Sequence, residues 1–84
     1  MNSSLNIPTL TLDVVAPGTT VVIQSLRETD TPLYRRLVSM GLVAGRMLTV
    51  LRSAPFGDPI AIAVLGYTLS LRLSEARLLE VSPA

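Results

Sequence analysis

Apolar residues recur along this chain with two different periods. Leu10 to Leu12 alternates Leu-Thr-Leu, and Thr19 to Leu26 is a β-branched run; both read as strands. At Leu33, Leu37 and Met40 the spacing lengthens to i, i+4 and i+7, so the three side chains share one helical stripe while Arg35, Arg36 and Ser39 lie off it. Asp30 or Thr31 can cap such a helix, and Pro32 stands in the first turn, where a missing N–H costs nothing. Gly41 occupies the position after the helix that favours left-handed backbone, and Leu42 can pack back on the last turn. Gly45 then turns the chain into a third strand, Arg46 to Arg52. The pattern predicts one helix, over about residues 31–40, inserted between the second and third strands.

Ala54-Pro55-Phe56-Gly57-Asp58-Pro59 is a loop stiffened by two prolines. After it comes the best hairpin signal, a II′ turn at Gly66-Tyr67 with glycine supplying the positive φ at the first central position. That turn pairs Val64 with Leu69, Ile62 with Leu71 and Ile60 with Leu73, all on one apolar face; Ala61, Ala63, Ser70 and Arg72 take the other. A slip of one residue would expose the whole apolar set, so the face is strongly specified. Ser74 to Leu78 reads as a short helical turn and Leu79 to Val81 as a closing strand. Residues 1–9 read as a flexible lead-in and 10–82 as one domain. The expected fold is mainly β, a small SH3-like barrel of five to six short strands with one inserted helix and a short C-terminal helical turn. Frequent turns favour a barrel that closes on itself and hides its edges. An OB-fold is the nearest rival.

Composition narrows the chemistry. The chain has 84 residues, 49% hydrophobic and 15% charged, which makes one domain with a thin core. Cys and His are absent, as is Trp. The usual ligands of a tight transition-metal site and the commonest general base are therefore missing, and no disulfide framework exists. No cofactor is required by these residues; any divalent metal would be held weakly, by carboxylate or backbone oxygen. Asp13, Glu28, Asp30, Asp58, Glu75 and Glu80 fall in separate turns and read as solvated loop and cap residues. No nucleophile elbow or phosphate-cradling glycine loop is present, so an enzyme is not expected. No apolar run approaches the roughly 18 residues of a membrane span, and the first residues lack the basic and apolar parts of a signal peptide; a cytoplasmic protein is expected. Seven arginines against six acids leave a charge of +1. That balance, with Tyr34, Phe56 and Tyr67 in separate segments, gives little pull toward nucleic acid.

The stripe of Leu33, Leu37 and Met40 reads as core, with Met40 the member placed to reach a surface. Met47 is expected to face outward, opposite to Leu48 and Val50. Arg35 and Arg36 read as a solvated helix face. The proline loop is either a stiff barrel corner or a preordered contact, since freezing it lowers the ordering cost of binding.

The order Leu37-Val38-Ser39-Met40-Gly41-Leu42, Gly45, Ala54 to Ile60, Leu69-Ser70-Leu71-Arg72 and Glu75-Ala76 resembles the FeoA family, over about Leu10 to Val81. The resemblance implies an SH3-like barrel with an inserted helix, a domain type that also ends iron-dependent repressors. It further implies a small cytosolic accessory protein of bacterial ferrous iron uptake, acting by binding the cytoplasmic part of FeoB, a membrane permease with a GTPase domain, and recruited by it to the inner membrane. The contact is then expected at Met40, Gly41 and Leu42 and at Pro55, Gly57, Asp58 and Pro59, with Leu37, Gly45, Gly66, Leu71 and Arg72 as structural residues. Alternatives are a nucleic-acid-binding small barrel and a weak carboxylate-based binder of divalent metal, the latter compatible with weak self-association.

Overall fold

Chain order runs β1 (Leu10–Thr11), a 3-10 turn (Leu12–Val14), β2 (Thr20–Leu26), α1 (Pro32–Ser39), β3 (Met47–Ser53), β4 (Ile60–Val64), β5 (Tyr67–Leu71), α2 (Leu73–Ala76) and β6 (Leu79–Pro83). The computed structural model describes residues 9–84, so all but the last residue of the expected lead-in lies outside it. Helix α1 forms as its sequence dictates. The Thr31 side chain accepts the Tyr34 N–H at 3.2 Å, and Pro32 opens the first turn. At the other end Gly41 has φ +90°, its N–H reaches the Val38 carbonyl at 2.9 Å, and the Leu42 N–H reaches the Leu37 carbonyl at 3.1 Å. This is the full Schellman closure, with Leu37 and Leu42 both buried beneath it.

The strands form one antiparallel sheet in the order β1-β6-β2-β3-β4-β5. Its core is contributed by nearly every element, among them Leu12, Ile23, Leu37, Leu48, Ile62, Leu71, Leu79 and Val81, all at or near zero exposure. Among the described residues the expectation that closure would hide every edge is corrected: β1 and β5 end the sheet there and do not pair with each other. After two residues of ladder the chain leaves β1 for the 3-10 turn, which sinks Leu12 into the core. Short edges limit the exposed hydrogen-bonding groups instead.

The hairpin register also differs from expectation. Val64 pairs with Tyr67, Ile62 with Leu69 and Ile60 with Leu71, so the turn is Leu65-Gly66, both residues at positive φ (+54° and +82°). The shift is two residues, which preserves which side chains face inward. The shorter register frees Leu73 to begin α2, its N–H donating to Asp58 Oδ1 at 3.0 Å, and lays Leu65 against Gly41. These contacts offset the cost, roughly 1–2 kcal/mol, of a non-glycine residue in the left-handed region.

Candidate functional site

The residues expected to bind a partner divide between the two ends of β4. At the end where β4 meets the hairpin turn lies the helix exit. Met40 is half-buried, and its carbonyl accepts the Tyr67 hydroxyl at 3.0 Å; the Gly41 carbonyl accepts Arg46 Nε at 3.0 Å. Leu42, expected beside them at the contact, is fully buried and belongs to the core, because it is the residue that the Schellman closure folds back onto Leu37. At the other end of β4 the proline loop is held shut by the Ala54 N–H on the Pro59 carbonyl (2.9 Å) and the Gly57 N–H on the Ala54 carbonyl (2.7 Å). Pro55, Asp58 and Pro59 are exposed, Gly57 is half-buried, and Phe56 is 98% exposed at the apex.

A polar notch of about 260 Å³ opens beside that loop, lined by Arg36, Asp58, Pro59, Ser70, Arg72 and Glu75. Its anchor is Glu75, which is 3% exposed and takes Arg36 Nη1 at 2.6 Å and the Arg72 N–H at 2.8 Å. This corrects the reading of Glu75 as a solvated residue, while Arg36 lies on a solvated helix face as expected, its side chain 61% exposed; together they tie α1 to α2. The structural residues Leu37 and Leu71 are buried, while Gly45 and Gly66 supply positive φ (+90° and +82°) in turns. Arg72 is structural only through its backbone, for its side chain is exposed.

The two ends are joined by the outer face of β3, β4 and β5. Thr49 pairs with Ala63 and Ala63 with Thr68; Arg52 pairs with Ala61 and Ala61 with Ser70. Met47 and Leu65 stand exposed at the hairpin end (55% and 54%), as expected for Met47, and line a shallow hollow with Thr49 and Ala63. A second hollow, of about 190 Å³, is lined by Arg52, Ala54, Pro59, Ala61 and Ser70 among others. Arg52 and Leu65 were not legible as surface-site residues, because one is placed by a bulge and the other by the turn register; exposed Leu before Gly in a hairpin turn is the signal that could have found the second.

Charge pairing is uneven over the molecule. Ion pairs join Arg27 to Glu80 (2.7 Å), Arg36 to Glu75 (2.6 Å) and Arg77 to Asp13 (3.5 Å), whereas Arg35, Arg46, Arg52 and Arg72 have none among the described residues. Among those residues no group of three or more His, Cys, Asp or Glu is placed to hold a metal, and no helix is long and apolar enough to cross a membrane. The arrangement is suited to binding: a small-residue floor, apolar groups at one end and free guanidiniums at the other.

Comparison with known proteins agrees with this geometry. Residues 10–83 match the family model for the FeoA domain. A stretch of 47 residues, 56% of this chain, is 38% identical to an Fe(2+) transport protein A/Fe(2+) transporter FeoB fusion protein of Porphyromonas gingivalis, of which it covers only 6%. The solution structure of a FeoA-like protein from Clostridium acetobutylicum superposes with a TM-score of 0.84 at 33% identity, covering 89% of this chain and 86% of that one. A zinc complex of FeoA from Stenotrophomonas maltophilia, described as a procaryotic SH3 domain protein, superposes at 0.76 with 28% identity, over 87% and 89% of the two chains. The SH3-like fold is thereby established, and the chain belongs to the FeoA domain family.

Proposed function

We propose that this chain is an accessory protein of bacterial ferrous iron uptake that binds the cytoplasmic portion of the FeoB permease through the outer face of β3, β4 and β5. The observation that carries the reading is the fused Porphyromonas gingivalis relative, in which Fe(2+) transport protein A and FeoB are one polypeptide. Fusion holds the two parts at high effective concentration, an arrangement that suits partners which must meet. The Stenotrophomonas maltophilia relative, put forward as a ferrous iron transport activating factor, points the same way. Met40, Gly41, Leu65 and Tyr67 form one end of the contact and Pro55 to Pro59 the other. The protein works in the cytoplasm, is drawn to the inner membrane by its partner, and leaves nucleotide chemistry to the permease.

The test is direct. Purified chain and the cytoplasmic portion of the permease from the same organism should form a complex in calorimetry. Deleting the gene should lower ferrous uptake in iron-poor, oxygen-poor growth. Unchanged uptake in the deletion strain would end the assignment.

A further inference from the structure

Arg52 should point into the core. Val50 pairs with Ile62, so an unbroken ladder would set Leu51 opposite Ala61 and Arg52 opposite Ile60, on the buried side. The strand instead carries a β-bulge between Val50 and Arg52, and Arg52 stands opposite Ala61 on the outer face. Bulges re-aim single side chains and recur beside functional sites. Here the bulge brings Arg52 to one side of a saddle formed by Pro59 and Ser70, the two residues common to both hollows, while Arg72 lines the other side. Neither guanidinium has an acidic partner among the described residues, and the floor between them is Ala61 and Ser70, small enough for a backbone to approach. The neighbouring acids are already engaged: Glu75 by Arg36 and the Arg72 N–H, and Asp58 Oδ1 by the Leu73 N–H.

We propose that this saddle is a receptor for carboxylates: Arg52 and Arg72 each take one acidic side chain from an extended segment of the partner protein. The proposal rests on the reading of the partner as the permease and names the chemistry of its docking segment. Charge complementarity selects the occupant, because two free guanidiniums present planar forks that match carboxylates bidentately. Arg52 lies on β3 and Arg72 just past the end of β5, two strand spacings across the sheet and two residues beyond the row of Arg52, about 12 Å in all, which acids three or four residues apart along an extended chain can bridge. A polyanion such as nucleic acid fits less well, since Asp58 stands at the rim and the saddle itself offers two unpaired guanidiniums among the described residues.

The experiment uses the full chain and the cytoplasmic portion of the permease, with folding of each variant checked by circular dichroism. Arg52→Ala/Arg72→Ala should weaken binding roughly tenfold. Arg35→Ala, which removes an unpaired exposed arginine elsewhere, should leave it within about twofold. Arg52→Lys/Arg72→Lys should recover part of the loss, since charge remains while the fork is gone. In amide spectra of the complex the shifts should include Ala61, Ser70 and Arg72. If wild type binds and the double alanine variant binds equally well, the receptor is wrong while the permease reading stands. If wild type does not bind, the permease reading fails and takes the receptor with it. Full recovery by the lysine variant would overturn the forked geometry. Binding of single-stranded RNA or anionic vesicles that the alanine variant loses, with permease binding untouched, would assign the arginines to polyanions and overturn the proposal.

Discussion

Two glycines share the same backbone angle and differ in what surrounds them. Gly41 and Gly45 both have φ +90°, but a Cβ on Gly41 would lie 2.8 Å from Leu65 Cδ1, whereas one on Gly45 meets nothing within 4 Å. Each substitution to alanine carries the left-handed cost of roughly 1–2 kcal/mol. Gly41→Ala should therefore destabilise more than Gly45→Ala in urea denaturation, and Leu65→Ala should erase most of that difference. Equal costs for the two glycines would show that Leu65 does not press on the helix exit. Glu80 offers a titration at the same scale. The hydrogen bond from Arg27 Nε, at 2.7 Å, holds its carboxyl below its ordinary value near 4.5, assisted by the attraction of the Arg27 charge. A depressed folded value means stability that is present above the unfolded value and lost as pH falls through the folded one. Arg27→Ala should therefore flatten stability against pH below about 5, and an unchanged acid limb would dismiss the pair as idle.

At the level of elements, what the chain spelled out locally was built as spelled. Thr31-Pro32 at one end of α1 and Gly41 at the other sit where capping chemistry requires, and Leu37 is buried as the stripe demands. Leu37→Ala should cost about 2–5 kcal/mol, and a denaturation series giving under about 0.5 would remove Leu37 from the core. What depended on distant contacts was harder to read. The II′ turn at Gly66-Tyr67 satisfies local glycine preference, yet the chain turns one residue earlier because Leu65 gains Gly41 and Leu73 gains Asp58 Oδ1, neither of which is a neighbour in sequence. The bulge before Arg52 left only a local mark, an arginine at a position that unbroken alternation from Leu48 and Val50 would turn inward, while the skipped residue is fixed by pairing with β4. The candidate site was thus half legible. Its proline loop and helix exit are marked by Gly and Pro, while its arginines are placed by register. Leu65→Asn tests the turn: asparagine enters the left-handed region more readily than leucine but gives up the contact with Gly41, so the two effects should nearly cancel and stability should change by less than about 1 kcal/mol. Strong destabilisation would mean that the Leu65 contact outweighs the backbone strain.

The molecule as a whole exposes 5030 Å², and a typical interface covers roughly 800 Å² per partner, so one docking face takes about a sixth of the surface. A metal site would have to be made from the same few polar side chains, and most of the carboxylates are committed. Asp13 pairs with Arg77, Glu75 with Arg36 and Glu80 with Arg27, and Asp58 accepts the Leu73 N–H. Glu28 and Asp30 remain, both exposed in the turn before α1. Two carboxylates on a solvated turn give weak oxygen coordination that leaves most of an ion's positions to water. Calorimetry of dilute protein with ferrous ion under anaerobic conditions should accordingly find no site tighter than micromolar. Two copies that pool their Glu28 and Asp30 carboxylates could still share an ion, which would couple any weak binding to self-association. Sedimentation at rising protein concentration should then show larger species only when divalent ion is present, and Glu28→Gln/Asp30→Asn should abolish them. A stoichiometric sub-micromolar site in the dilute chain would place a metal among side chains already paired, and the assignment of Asp13, Glu75 and Glu80 to ion pairs would have to be abandoned. Metal-dependent association that survives the double substitution would instead move the shared site away from the turn before α1.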